Sequence, residues 1–132
     1  LSDRLEHLRT LMEGLPGELQ GQAVMIDGRM TSKRAREARE QAIEDMRAGR
    51  KHYLFASYAL AKEGLDIPRL DRLYMTTPQG DYAVVTQSVG RVARTASGKD
   101  EAICYDYVDN ITFCENKWKR RRAHYRKAGC IL

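Results

Sequence analysis

Leu5, Leu8, Leu11, Met12 and Leu15 recur at the three-and-four spacing of one helix face. Ser2 or Asp3 can cap that helix, and Gly14-Leu15-Pro16-Gly17 ends it. Ala23-Val24-Met25-Ile26 is a short, unbroken apolar run between Gly21 and Gly28, the pattern of a buried strand. From Thr31 or Ser32 to Ala48 the period is helical again, with Ala35, Ala38, Ala42 and Met46 on the inner stripe and Gly49 as the stop. His52 to Ser57 reads as a second strand and Ala59 to Glu63 as a short helical stretch. Gly64-Leu65-Asp66-Ile67-Pro68 then turns the chain. Leu73 to Thr76 and Ala102 to Tyr105 are further strands. A helix over residues 81–94 lies between them, and a last helix follows Asp109.

Strands that alternate with helices imply right-handed crossovers and a mostly parallel sheet covered on both faces, a three-layer α/β fold. Ligands of such sheets bind beyond the carboxyl ends of the strands, which directs attention to residues 57–66 and 77–81. A domain that opens directly on a helix cap lacks the element that would hold the cap. The chain therefore reads as a fragment whose first strand lies before Leu1.

Length and charge narrow the class. The 132 residues suit one domain, and 42% apolar with 31% charged residues is a soluble, folded mixture. No stretch reaches the roughly 20 apolar residues of a membrane span. Three cysteines without a C-x-x-C pair argue against a disulfide or zinc framework and for a reducing cytoplasm, and no metal site is assigned. Residues 111–132 hold seven Lys/Arg against Glu115, while residues 1–110 hold 16 basic and 17 acidic residues. The net +5 thus resides wholly in the C-terminal block, a docking surface for a polyanion or a solvated helix end.

On the helix from Asp81, Val85, Val89 and Val92 share one face, and Gln87, Arg91 and Arg94 share the opposite one. Guanidinium forks suit phosphate oxygens. Gly90, which costs about 1 kcal/mol in mid-helix relative to alanine, points to a close approach of backbone or ligand there. Ser57 offers a hydroxyl at the opening of a helix, where a phosphate can bind. Asp66 either accepts hydrogen bonds from a ribose or merely closes its own turn.

The stretch Ala56-Ser57-Tyr58-Ala59-Leu60-Ala61-Lys62-Glu63-Gly64-Leu65-Asp66-Ile67-Pro68 resembles motif V of superfamily 2 helicases. Gln87-Ser88-Val89-Gly90-Arg91-Val92-Ala93-Arg94 resembles their motif VI, Q-x-x-G-R-x-x-R. Ser2-Asp3-Arg4 is similar to the end of motif IV. The resemblance covers nearly the whole chain and is strongest to phage-type helicases and the helicase subunits of type III restriction enzymes. It implies a C-terminal RecA-like domain over residues 1–110, followed by a basic helix over 111–132. ATP with Mg2+ would then bind between this domain and an N-terminal RecA-like domain that supplies the Walker A lysine, the Walker B acids and the metal site. Arg91 and Arg94 would face the γ-phosphate and Gln87 the interdomain cleft, with Gly64, Asp66 and Gly90 at the nucleotide. Ser57 and Arg29 would contact the nucleic-acid backbone, DNA in preference to RNA.

Motif V here has one more residue between its hydroxyl and its glycine than DEAD-box proteins carry, which sets that subgroup aside. The chain itself holds no G-x-x-x-x-G-K-[ST] and no D-E-x-H box, so alone it should be inactive. In the basic tail, Lys119, Arg121 and Arg122 are candidates for phosphate contacts, and Trp118 and Tyr125 either pin the helix or stack on bases. Removing residues 117–127 is then expected to weaken nucleic-acid binding and flatten its salt dependence. Two alternatives stay open: a non-catalytic nucleic-acid-binding module, and a translocase subunit of a restriction-type complex that never separates strands.

Overall fold

The computed structural model describes residues 1–27, 31–63 and 65–132. They form two compact units, Leu1–Ile67 and Pro68–Leu132, so the division falls within the span read as one domain. Each unit is a parallel strand pair with its helices, the α/β class that the alternation predicts.

The first unit holds α1 (Leu5–Glu13), α2 (Gly17–Gln20), β1 (Ala23–Ile26), α3 (Lys33–Ala48), β2 (Tyr53–Ala56) and α4 (Tyr58–Lys62). β1 and β2 pair with Ala23 opposite Tyr53 and Ile26 opposite Ala56. Ser2 adds a parallel bridge to Ser57, its amide donating to the Ala56 carbonyl at 3.3 Å. The Ser2 hydroxyl is buried, accepts from the Arg4 amide at 3.1 Å and meets His7 Nδ1 at 3.0 Å. Ser2 therefore steers the chain into α1 from two residues ahead of the cap position, Arg4.

The single turn α2 has no apolar period to reveal it. Pro16 at its cap has φ −50°, already suited to a helix, and the Gln20 amide ties back to the Glu13 and Leu15 carbonyls. α3 is bounded as expected: Ser32 accepts from the Ala35 amide, and Gly49 closes the helix at φ 78°. Of its expected inner stripe, Met46 is buried but Ala38 is exposed. A 16-residue helix runs about 24 Å, whereas four-residue strands run about 13 Å, so part of α3 outruns the sheet.

The second unit holds β3 (Arg72–Met75), α5 (Tyr82–Val92), β4 (Ile103–Asp106) and α6 (Thr112–Lys127). β3 and β4 pair in parallel, Leu73 opposite Cys104 and Met75 opposite Asp106. Leu73 and Met75 are buried, as are Val85, Val89 and Val92 of α5. On the other face of the strand pair, Tyr74 and Tyr105 stack at 4.9 Å and stay exposed, where burial of both faces was expected. α6 packs on α5 within this unit.

What seats α6 is an ion pair. Arg121 is fully buried; its Nε and Nη2 donate to the two carboxylate oxygens of Asp106, each at 2.6 Å. Nη1 donates to the Gln79 carbonyl at 2.8 Å, and the Tyr125 hydroxyl donates to Asp106 Oδ2 at 2.6 Å. By charge and spacing Arg121 belongs with phosphate-contacting cations, and the fold corrects that assignment. Its fork is consumed by a carboxylate and a carbonyl inside the unit, while the flanking Arg120 and Arg122 stay exposed. Removing one partner of such a pair leaves the other charge buried and unpaired, which costs about 3–5 kcal/mol. Asp106→Ala is therefore expected to lower the unfolding free energy by about that much. Arg122→Ala should change it by no more than about 0.5 kcal/mol. Urea unfolding followed by circular dichroism measures both, and equal effects would refute the buried pair.

Candidate functional site

Asp81 starts α5 by accepting from the Val84 amide at 2.9 Å. With the three valines turned inward, Gln87 is exposed, Arg91 is half-buried and Arg94 is exposed one turn on, just past the helix. The expected opposition of valine and arginine faces is present. The Arg94 backbone is fixed by a residue that the sequence pattern does not single out. Lys99 Nζ donates to the Arg94 carbonyl and, at 3.2 Å, to the Pro68 carbonyl. Burial lowers the Lys99 pKa, with Asp71 opposing the shift. Gly90 is exposed, and a Cβ built there meets no described atom within 4 Å. Whatever close approach Gly90 serves is not made by the described residues of this chain.

In the first unit, Ser57 ends β2 and caps α4, its hydroxyl accepting from the Leu60 amide at 3.4 Å. Leu65 and Ile67 are buried on either side of Asp66, which holds the Asp66 side chain at the surface. Arg47 Nε donates to the Asp66 carbonyl at 2.6 Å and so ties this turn to α3. Gly64 and Arg29, both expected at binding positions, lie outside the described residues. Ser57 and Asp66 belong to one compact unit, and Gln87, Gly90, Arg91 and Arg94 to the other.

Two cationic surfaces are built. On α6, Lys119, Arg120 and Arg122 are exposed, as expected for Lys119 and Arg122. Beside the carboxyl end of β1, a groove of about 340 Å³ is lined by Arg9, Ile26, Asp27, Ser32, Arg34 and Arg39. Arg39 also faces Glu63 at 3.5 Å. Residues 117–127 include the buried Arg121 and Tyr125, so deleting them removes part of the core along with the charge. Point substitutions on the exposed face are the way to isolate the charge.

Cys104 carries no nucleophile signature. Burial pushes the Cys104 thiol up to about 11, partly offset by its contact with the Tyr125 hydroxyl, so it stays protonated at neutral pH. Burial, then the hydrogen bond to Asp106, raises the Tyr125 pKa and keeps its hydroxyl a donor. Trp118 and Tyr125 contact one another, ring centroids 6.2 Å apart, and Tyr125 is buried. For Tyr125, pinning the helix is what the fold selects. Among the described residues, no helix is long and apolar enough to cross a membrane.

Three comparisons bear on this geometry. No curated protein matches the chain. Among solved structures, the C-terminal domain of the DEAD-box protein Dbp5 superposes with a TM-score of 0.71 and 22% identity, over 99% of this chain and 69% of that one. At that identity the likeness establishes the fold, a RecA-like α/β domain. The family model described as the helicase conserved C-terminal domain matches residues 3–96, which contain both the Ser57–Asp66 turn and the Gln87–Arg94 face. With most of its length inside that match, the chain belongs to the helicase conserved C-terminal domain family.

Proposed function

We propose that this chain is the second motor domain of an ATP-dependent superfamily 2 helicase or translocase, of the phage or type III restriction kind, acting on DNA in preference to RNA. The observation that carries this reading is the α5 surface. A polar face of Gln87, Arg91 and Arg94 stands opposite the buried valines, and an exposed glycine lies within it. Membership of a helicase domain family supports it.

The donor set fits a triphosphate. Within the second unit, Arg91 and Arg94 offer planar cationic forks to phosphate oxygens. Within the first unit, taken by itself, the Asp66 carboxylate stands outward between two buried residues, where it suits hydroxyl donors such as those of a ribose. Gly90 leaves room for a close approach along the same helix face. ATP with Mg2+, held mainly by the Walker residues of an N-terminal domain, supplies the phosphoryl group whose release drives the cycle. Arg94 and Arg91 then stabilise the charge that spreads over the transferring group, and Gln87 orients its neighbours in the cleft. The exposed cations of α6 and the Arg9/Arg34 groove hold the nucleic-acid backbone by charge, without base readout.

In the intact ATPase, Arg94→Ala is expected to lower turnover by about 10³-fold or more, the scale of a lost arginine finger, with nucleic-acid affinity retained. Wild-type turnover in that variant would remove the arginine assignment and favour a non-catalytic binding module. Replacing Lys119, Arg120 and Arg122 together by alanine should reduce the slope of log affinity against log salt by about 2–3, as each phosphate contact contributes about 0.7–0.9. Fluorescence anisotropy across a KCl series measures it; an unchanged slope assigns the track to the other cationic surface. Strand displacement assayed beside ATP turnover separates unwinding from translocation alone.

A further inference from the structure

The buried Arg121 does more than seat α6. Lys117, Arg121, His124 and Lys127 recur at steps of four, three and three residues, one stripe along α6. That stripe meets the segment from which α5 starts. Arg121 Nη1 donates to the Gln79 carbonyl at 2.8 Å. His124 Nε2 stands 3.4 Å from the Gly80 carbonyl, and a Cβ on Gly80 would stand 2.8 Å from Lys117 Cδ. The Tyr82 ring meets His124 edge-on at 5.0 Å and lies 5.5 Å below Lys127 Nζ.

The segment is also closed on itself. Gln79 Oε1 accepts from the amides of both Gly80 and Asp81 at 2.9 Å, and Asp81 caps Val84. The first turn of α5 is therefore set by a loop whose carbonyl is held from across the unit by a guanidinium already locked on Asp106. We propose that Arg121, with Asp106, is a positioning residue for Arg91 and Arg94. It sets the starting point and tilt of α5; Arg91 lies about 15 Å along that helix from its cap and Arg94 just beyond its end. A tilt of a few degrees at the cap moves them by about 1 Å, a displacement that can cost about 10²-fold in rate.

This inference rests on the motor reading above and is tested so that the two can fail separately. In the intact ATPase, Arg121→Lys keeps the charge but cannot span Asp106 and the Gln79 carbonyl together; Tyr125→Phe removes only the hydroxyl that steadies Asp106. Both are compared with Arg94→Ala. Hydrogen exchange by mass spectrometry is expected to quicken at least fivefold over residues 79–94 in Arg121→Lys, and less in Tyr125→Phe. The kcat and kcat/KM for ATP should fall together at least tenfold in Arg121→Lys, with KM within twofold, when normalised to folded protein. Faster exchange confined to residues 112–127, with wild-type kcat per folded molecule, would show that Arg121 only anchors α6 and would overturn the proposal. If Arg94→Ala also turns over normally, the motor reading falls with it. If Arg94→Ala is dead while Arg121→Lys is unimpaired, the positioning role alone fails.

Discussion

A single buried guanidinium decides how the second unit is assembled. Arg121 is the middle of three consecutive arginines, and it is the one withdrawn from solvent. An unpaired charge inside a protein costs several kcal/mol, so burial is tolerable only where every donor finds an acceptor. Asp106 at the end of β4 supplies two acceptors and the Gln79 carbonyl a third. Tyr125 from the next turn of α6 completes the carboxylate. Strand, loop and helix are thereby joined at one point, and neither the strand pair nor α6 alone could satisfy it.

The consequence is a division of labour between charges of the same sign. Arg121 spends its fork internally, while Lys119, Arg120 and Arg122 on the same helix face solvent and remain available to phosphates. α5 divides its residues in a similar way, valines inward and Gln87, Arg91 and Arg94 on the polar side. A helix read only by its net charge would miss both distinctions. In the first unit the same division operates on a smaller scale: Leu65 and Ile67 are buried while Asp66 between them is exposed, its carbonyl tied to α3 by Arg47.

Most of the element pattern was legible before any coordinates. β1 occupies the predicted residues, α3 begins at its serine cap and ends at its glycine, and α5 buries the three valines that its period selects. These features are local: caps, stops and periods act over a few residues, so the chain announces them in order. α2 escaped because one turn built on proline geometry leaves no period. The exposed Tyr74–Tyr105 stack escaped because a four-residue apolar run reads the same whether one face is covered or two.

By itself the amino-acid sequence determined the α/β class, most strand and helix positions, the polar α5 face of Gln87, Arg91 and Arg94, and the concentration of positive charge in the last 22 residues. Tertiary structure alone decided which of those cations is structural, what holds the ends of α5, and which turn residue faces outward. Periodicity ranks positions around one helix, but it carries no information about the carboxylate or carbonyl that another element brings opposite. Arg121 finds Asp106 fifteen residues away and Gln79 forty-two away, and Lys99 finds Pro68 thirty-one away. Pairings across such distances exist only once the strands have placed their ends.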